Sequence, residues 1–170
     1  KMACEKGYGF ACKWKEWQGR EGGIPELVIP VFEKKCKVNK APLACVAVGL
    51  GYGLHRSKIS SEASEPLKAM SFFTKACKEK AYAPGCTYMG EMYRNGAGVD
   101  KDLSKALTLY KEGCKAKDYW GCYRIGQMYL SGEGVKADQT KAKEMFTKAC
   151  RSGYIQGCIA KSEILYEKER

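Results

Sequence analysis

Residues 86–114 read CTYMGEMYRNGAGVDKDLSKALTLYKEGC, and residues 122–150 read CYRIGQMYLSGEGVKADQTKAKEMFTKAC. Each stretch begins with a short helical segment, continues through a glycine-rich turn and ends in a second helical segment. The apolar residues of each second segment recur at helical spacing: Leu103, Ala106, Leu107 and Tyr110 in the first stretch, and Ala142, Met145, Phe146 and Ala149 in the second. The repetition predicts an all-α fold, an α/α solenoid of stacked antiparallel helix pairs.

Ten cysteines follow the same repeat in five close pairs. The pairs are Cys4/Cys12, Cys36/Cys45, Cys77/Cys86, Cys114/Cys122 and Cys150/Cys158. The separation within a pair is 8 or 9 residues, and the first cysteine recurs after 32, 41, 37 and 36 residues. A period of this length is typical of helical-hairpin repeats, and the pairs predict one disulfide for each repeat.

The short separation within each pair constrains the chain between the two cysteines. A disulfide requires Cα atoms roughly 4.4–6.8 Å apart, whereas eight residues span about 12 Å along a helix and more than about 25 Å along a strand. The chain must therefore reverse its direction, and glycine, proline, asparagine, aspartate and serine lie in the intervening segments. We expect one cysteine at the end of a helix and the next at the start of its antiparallel neighbour.

Two other states of the cysteines compete with disulfides. The first is ten reduced thiols buried in a cytosolic repeat protein. The second is zinc, whose sites favour two to four residues between paired cysteines and often include histidine. Here seven or eight residues intervene, and His55 is the only histidine. We expect no metal and no other cofactor, and the paired cysteines predict an oxidising compartment.

The chain is strongly basic, with a net charge of +11 from 30 Lys+Arg and 19 Asp+Glu. Such a surface attracts nucleic acid, anionic lipid or an acidic partner. The basic residues are spread through every repeat and interleaved with glutamates, as in residues 77–80 and 166–170, which is typical of solvated helix surfaces. We expect no nucleic-acid partner, and because no run of 18 apolar residues occurs, we expect no transmembrane segment.

The repeat pattern predicts a single solenoid domain over residues 1–170. The approximate repeats are 1–11 (partial), 12–44, 45–85, 86–121 and 122–157, with residues 158–170 as a C-terminal capping helix. Glu16 and Ser162 replace the glycine that the central repeats carry at Gly90 and Gly126. Terminal repeats are expected to deviate in this way. The chain begins at Lys1 without an initiator methionine, so we expect further residues upstream, including any targeting segment.

The repeated motifs carry a resemblance to a known family. They are Gly-x-x-Tyr at residues 90–93, Gly-x-Gly-Val at 96–99, Lys-Ala at 105–106 and Lys-Ala-Cys at 148–150. This combination resembles the Sel1-like repeat, a relative of the tetratricopeptide repeat. With the added cysteine pairs, the chain is similar to the cysteine-rich bacterial subfamily of the Helicobacter type. The match is closest over residues 77–158, and the resemblance implies a Sel1-like superhelix.

The same resemblance implies an enzymatic alternative, because similar cysteine-rich proteins have been linked to penicillin binding and β-lactamase activity. Serine enzymes of that class use Ser-x-x-Lys, in which one helical turn brings the amine beside the nucleophile. No serine of this chain is followed three residues later by lysine, and Lys-Thr-Gly is absent. A Ser-His-Asp triad would need His55, which lies in an irregular connection. We therefore predict no catalytic residues and keep a β-lactamase-like or cell-wall-peptide-binding activity as the alternative.

A curved solenoid presents its first helices along the concave face. The residues expected to bind a partner there are Tyr88, Glu91, Arg94, Arg124 and Gln127, with Lys15 as a further candidate. Aromatic and arginine side chains of this kind dominate interface energetics. We predict a non-enzymatic scaffold that binds a protein or peptide, or a subunit of an envelope assembly, in the periplasm or secreted space. The alternative is the mitochondrial intermembrane space, where similar repeat proteins assist respiratory-complex assembly.

Two further features allow two interpretations each. Trp14, Trp17 and Trp120 lie near turns, where tryptophan usually packs into the core or caps a helix. The connection from Gly53 to Pro66 is longer than in the other repeats and lacks Gly-x-Gly-Val. It is either a docking loop for a partner or a tolerated insertion, and we favour the insertion.

Overall fold

The computed structural model describes residues 29–38, 41–53, 65–79 and 82–167, and these ranges contain helices and turns but no strand. The helices are α1 (Ile29–Val38), α2 (Pro42–Gly53), α3 (Pro66–Thr74), α4 (Ala83–Asn95), α5 (Leu103–Lys115), α6 (Tyr119–Ser131), α7 (Gln139–Arg151) and α8 (Ile155–Glu167). A five-residue π-helix, Lys75–Glu79, continues α3. The all-α prediction is confirmed.

The helices stack as antiparallel pairs, α2 with α3, α4 with α5, and α6 with α7. The first helices α2, α4 and α6 also contact one another from pair to pair, so the pairs form a continuous α/α solenoid. None of the described helices has the length and apolar character that crossing a bilayer requires.

Local sequence signals define the turn inside the helix pairs α4–α5 and α6–α7. Helices α4 and α6 end at Gly96 and Gly132, which adopt left-handed φ values of 67° and 73°. Glycine adopts this conformation without a steric penalty, and it ends the helix. Helices α5 and α7 begin after Asp102 and Asp138, whose side chains accept hydrogen bonds from the backbone N–H groups of Lys105 and Lys141 at 2.9 Å.

Four of the five predicted cysteine pairs are disulfides in the described residues: Cys36–Cys45, Cys77–Cys86, Cys114–Cys122 and Cys150–Cys158. Their Cα atoms lie 4.8, 4.7, 4.7 and 4.5 Å apart. Each bond joins the last turns of one helix to the first turns of the next, so it connects the second helix of one pair to the first helix of the following pair. Cys4 and Cys12 lie outside the described residues.

The helical glycines are sites of close helix–helix contact. A Cβ atom at Gly90 would lie 2.6 Å from the ring of Tyr110, and one at Gly126 would lie 2.6 Å from the ring of Phe146. No side chain fits in either space. The glycine therefore allows the two helices of a pair to approach until an aromatic ring of the second helix rests on the backbone of the first.

The apolar stripes are largely as predicted, with one addition. Ala106 and Tyr110 are fully buried in α5, whereas Leu103 and Leu107 are partly buried against the same core. Leu109, which the predicted stripe omits, is buried in the hydrophobic core that residues of α1 to α4 form. A second helix of a solenoid lies between two cores, and one stripe does not describe both contacts. In α7 the predicted residues Ala142, Phe146 and Ala149 are fully buried, and Met145 is partly buried.

The remaining motif residues make contacts within and between the pairs. Lys68, Lys105 and Lys141 each place their ammonium group 5.3–5.5 Å from the ring centre of Tyr52, Tyr93 and Tyr129, respectively. These cation–π contacts connect the start of each second helix to the end of its first helix. A Cβ at Gly98 would lie 2.6 Å from Pro66, and one at Gly134 would lie 2.5 Å from Leu103. The second glycine of each turn therefore lies against the start of the preceding pair's second helix.

Several sequence-based predictions concern residues outside the described ranges. These residues are Trp14, Lys15, Glu16, Trp17, His55 and most of the connection between Gly53 and Pro66. The predictions made for them stay predictions.

Candidate partner-binding site on the first helices

Three of the five residues predicted to bind a partner form one hydrogen-bonded chain between α4 and α6. Arg124 donates from Nη2 to Glu91 Oε2 at 2.6 Å and from Nη1 to Gln127 Oε1 at 2.8 Å. Gln127 Nε2 in turn donates to the hydroxyl of Tyr123 at 3.0 Å. This series of hydrogen bonds connects one helix pair to the next, because Glu91 belongs to α4 and Arg124 to α6.

Glu91 is buried and does not present its carboxylate to the surface. Besides Arg124, it accepts a hydrogen bond from the hydroxyl of Tyr110 at 2.5 Å. A buried carboxylate is tolerated when an opposite charge and further hydrogen-bond donors compensate for its lost hydration. The structure therefore gives Glu91 the role of fixing the guanidinium of Arg124.

Tyr88, also among the predicted residues, reaches Arg124 through Trp120. The rings of Tyr88 and Trp120 are 4.7 Å apart and tilted by 56°, and the guanidinium carbon of Arg124 lies 5.4 Å from the Trp120 ring. On its other side Tyr88 stacks on Phe73 at 5.2 Å. Burial raises the pKa of Tyr88 to about 12, with added contributions from nearby carboxylates. We call Tyr88, Glu91, Trp120, Arg124 and Gln127 the Arg124 cluster.

The guanidinium of Arg124 keeps donor capacity beyond these contacts. A guanidinium carries five N–H groups, and its Nη1 and Nη2 atoms bind Gln127 and Glu91. Its Nε atom is buried without a hydrogen-bond partner among the described residues. The side chain is 22% exposed. The cluster thus combines a fixed, half-buried cation with an aromatic surface.

Arg94, the fifth predicted residue, belongs to a separate ion pair. Its Nε and Nη2 atoms donate to Glu133 Oε2 at 2.8 and 2.6 Å. The hydrogen bond from Arg94 holds the pKa of Glu133 below its usual value. Since Glu133 lies in the turn after α6, this pair connects the end of one first helix to the turn of the next repeat.

A second polar contact lies between the same two helix pairs. The fully buried Thr87 donates a hydrogen bond to the carboxylate of Asp118, the residue before α6. Burial raises the pKa of Asp118, and hydrogen bonds from Thr87 and the backbone of Trp120 oppose that increase. The sequence-based prediction did not include this pair or the role of Trp120. The i, i+4 spacing of Trp120 and Arg124 on one helix was the available signal for Trp120.

Among the described residues, one group offers three potential metal ligands, Cys77, Cys86 and Glu112. The two sulfur atoms are bonded to each other in a disulfide and are not thiolate donors. This group therefore does not fit a metal ion in the oxidised protein.

Comparison with protein families identifies repeats in the same helices. The family model described as the Sel1 repeat matches residues 42–80, 83–118 and 121–154, which together make up more than half of the chain. Each match covers one helix pair.

Comparison with individual proteins gives relatives in bacteria and vertebrates. The solved structure of Helicobacter pylori cysteine rich protein B is 31% identical, with a TM-score of 0.58, over 78% of this chain and 91% of that chain. A Sel1 repeat protein from Oxalobacter formigenes is 25% identical, with a TM-score of 0.66, over 79% and 52%. Cytochrome c oxidase assembly factor 7A of Xenopus laevis is 30% identical over 59% of this chain, which spans only 45% of that relative's length.

Proposed function

This chain belongs to the Sel1 repeat family, and we propose that it is a non-enzymatic scaffold whose Arg124 cluster binds a protein or peptide partner. The observation that carries the proposal is the fixed guanidinium of Arg124, held by the buried Glu91 and by Gln127 against the ring of Trp120. Such a scaffold either holds one partner or serves as a subunit of a larger envelope assembly.

The composition of the cluster supports this function. Residues that dominate binding energy at interfaces are enriched in tryptophan, tyrosine and arginine and lie in well-packed surroundings. Trp120 and Arg124 are half-buried, so a partner contacts surface that is already partly desolvated. Binding also orders flexible side chains at a cost of about 0.5–1.5 kcal/mol each. In this protein Arg124 is ordered before the partner arrives, because three neighbouring groups already fix it.

The four disulfides indicate an oxidising compartment. We place the protein in the periplasm or the secreted space of a bacterium. The likeness to a cysteine-rich protein of Helicobacter pylori, at 31% identity over most of that chain, supports the bacterial setting.

A second candidate function is the assembly of a respiratory complex in the mitochondrial intermembrane space, which is also an oxidising compartment. The 30% identity to cytochrome c oxidase assembly factor 7A of Xenopus laevis favours it. The matched region is 107 residues long and covers less than half of that relative. The first location is preferred because the bacterial relative is matched over nearly its whole length.

The test is affinity capture from the native host under non-reducing conditions, followed by a direct measurement of binding for each captured protein. We expect a partner whose affinity falls at least about tenfold with Trp120→Ala, the loss typical of an interface hot spot. The control is Lys143→Ala, in an open groove that is lined mostly by α7 and includes none of the cluster residues. The proposed site is contradicted if the partner binds both variants as tightly as it binds the wild type. It is also contradicted if only Lys143→Ala lowers the affinity.

The same proteins test the non-enzymatic part of the proposal. We expect the purified wild type to leave a chromogenic β-lactam unhydrolysed at high protein concentration. Hydrolysis that disappears on substitution of one side chain would establish catalysis and replace the scaffold function.

A further inference from the structure

Helix α8 carries an exposed apolar stripe that the preceding first helices do not have. Ile155, Ile159 and Tyr166 are 68%, 54% and 72% exposed, while the opposite side of the helix, with Ala160 and Ile164, is buried. With Ser162, the exposed residues are spaced 4, 3 and 4 positions apart, which is the spacing of a heptad seam. We call Ile155, Ile159, Ser162 and Tyr166 the α8 seam.

The repeat register shows what this side of a first helix does elsewhere in the solenoid. Ile159 and Ser162 correspond to Tyr123 and Gly126 of α6, 36 residues earlier. Both of those residues contact Phe146 of α7: the rings of Tyr123 and Phe146 are 5.5 Å apart, and Gly126 lies directly beneath the Phe146 ring. The α8 seam is therefore the side of a first helix that normally receives another helix.

Two residues of α8 disfavour a second helix of the ordinary type at this position. Ser162 replaces the glycine, and a Cβ at Gly126 would lie 2.6 Å from the Phe146 ring, so the aromatic residue of an ordinary second helix does not fit over Ser162. Leu165 replaces the tyrosine that receives the lysine of a second helix, as Tyr129 receives Lys141. The hydroxyl of Ser162 donates a hydrogen bond to the carbonyl of Cys158 at 3.0 Å. It can therefore be buried against apolar side chains without a further hydrogen-bond partner.

We propose that the α8 seam is a homodimer interface, in which α8 packs antiparallel against α8 of a second copy. A twofold axis between residues 160 and 161 places Ile159 opposite Ser162 of the other copy and Ile155 opposite Tyr166. Each pairing then sets a large side chain against a smaller one. A parallel pairing would instead place Ser162 against Ser162, which leaves a gap, and Tyr166 against Tyr166.

Polar residues beside the seam favour the same orientation. In antiparallel pairing, Glu163 lies beside Gln156 of the other copy, so an acceptor faces a side chain that can donate a hydrogen bond. The net charge of +11 on each copy opposes association at long range. Salt screens this repulsion without weakening the apolar contact. The dimer is therefore stronger at high salt.

The area of contact sets the strength of the dimer. A 13-residue helix is about 20 Å long, and its exposed side is smaller than the roughly 800 Å² that each partner contributes to a standard interface. We therefore expect a weak dimer, with a dissociation constant of about 10–100 µM at high salt.

The experiment is sedimentation velocity of the oxidised protein at concentrations up to roughly 500 µM, well above the expected constant. We expect a dimer for the wild type and at least tenfold weaker association for Ile159→Glu. The control is Leu67→Glu, which makes the same charge change at a 70% exposed leucine on α3. Both residues are exposed, and circular dichroism before the measurement checks that both variants are folded. The proposal is overturned if the wild type is monomeric or if the two variants associate equally. The α8 seam would then be a binding site for a helix of another protein.

A mixing experiment tests the register. Ser162→Lys and Ile159→Glu are each expected to dimerise weakly on their own. In an equimolar mixture, the glutamate of one chain faces the lysine of the other, and the contact between Ile159 and Ser162 is kept on the second side. We expect the mixture to associate more tightly than either variant alone. No gain on mixing overturns the antiparallel register.

Discussion

Two junctions of this solenoid share one framework and differ in the side chains that fill it. The central junction joins the pair α4–α5 to α6, and the terminal junction joins the pair α6–α7 to α8. Each has a disulfide between cysteines 8 residues apart, with Cα distances of 4.7 and 4.5 Å, respectively. Each also has a glycine, Gly121 or Gly157, whose added Cβ would collide with the preceding second helix.

The side-chain contacts between these fixed points differ at two pairs of equivalent positions. The hydrogen bond from Thr87 to Asp118 in the central junction is replaced by the ring contact of Tyr123 with Tyr154, 5.4 Å apart, in the terminal junction. The buried pair of Glu91 and Arg124 is replaced by Gln127 and Ala160. Disulfides and glycines therefore fix the backbone, and the side chains between them vary without changing the fold. We accordingly expect a binding site in the central junction, where the side chains between the helix pairs are polar.

The largest difference between the junctions should come from Arg124→Leu. The substitution leaves the buried carboxylate of Glu91 without its counter-ion, and we expect the free energy of unfolding to fall by about 3 kcal/mol. The double variant Glu91→Leu with Arg124→Leu should recover most of this loss, because no buried charge remains. Urea unfolding of the oxidised protein gives the values.

The control for that prediction is Gln127, the other hydrogen-bond partner of Arg124 and the register equivalent of Glu91. Gln127→Leu removes a neutral, half-exposed side chain and keeps the ion pair of Arg124 with Glu91, so we expect a loss below about 1 kcal/mol. An equal loss for Gln127→Leu and Arg124→Leu would show that the unpaired charge of Glu91 is not the source of the larger loss.

The disulfides should contribute equally to the two junctions. Replacing Cys114 and Cys122 by alanine, or Cys150 and Cys158 by alanine, should each lower the free energy of unfolding by roughly 2–3 kcal/mol. The two losses are equal because both bonds close loops of the same length. Parallel urea titrations measure them, and unequal losses would show that the framework itself differs.

Thr87→Val should lower stability in a pH-dependent way that the matched substitution in the terminal junction does not show. Burial already raises the folded pKa of Asp118 above its value in the unfolded chain, and losing the hydrogen bond from Thr87 raises the folded pKa further. The folded state then binds protons more tightly than the unfolded state, so stability falls as the pH rises through the pKa of Asp118. We expect a loss of about 1–2 kcal/mol at pH 7 that disappears below about pH 4.

The matched substitution in the terminal junction is Tyr123→Phe. It removes a hydroxyl that accepts from Gln127, with no carboxylate involved. The expected loss is under about 1 kcal/mol, and it should not change between pH 4 and pH 7. A pH-dependent loss in this variant, or a pH-independent loss in Thr87→Val, would refute the assignment of the titrating group to Asp118.

The smallest effects should come from the lysines that lie over the tyrosine rings. Lys105→Gln and Lys141→Gln remove cation–π contacts with Tyr93 and Tyr129, and each should cost about 0.5 kcal/mol. Both lysines also form exposed ion pairs with the capping aspartates, so part of the loss should vanish in 1 M salt. Thermal unfolding at low and high salt would measure it, and a loss confined to one variant would contradict the shared framework.

The framework could be predicted from sequence because its determinants are close together along the chain. The cysteines of a pair are 8 or 9 residues apart, and glycine, asparagine and aspartate mark the turns directly. The burial of Glu91 could not be predicted, since it depends on Tyr110 and Arg124, which lie 19 and 33 residues away. Leu109 was missed for a related reason, because it belongs to the core that residues of α1 to α4 form and not to the core of the predicted stripe. The contacts of side chains whose partners lie in another repeat can be identified only from the three-dimensional stacking of the repeats.

The spacing of the disulfides also has a consequence for how genes of this kind change length. Cys114 and Cys150 are 36 residues apart, as are Cys122 and Cys158. Excision of 36 codons starting anywhere from residue 87 to residue 122 removes either one whole pair or one member from each of two pairs. In the second case, Cys114 and Cys158 become neighbours 8 residues apart. Unequal recombination can therefore shorten or extend the array without leaving an odd thiol to mispair during oxidation.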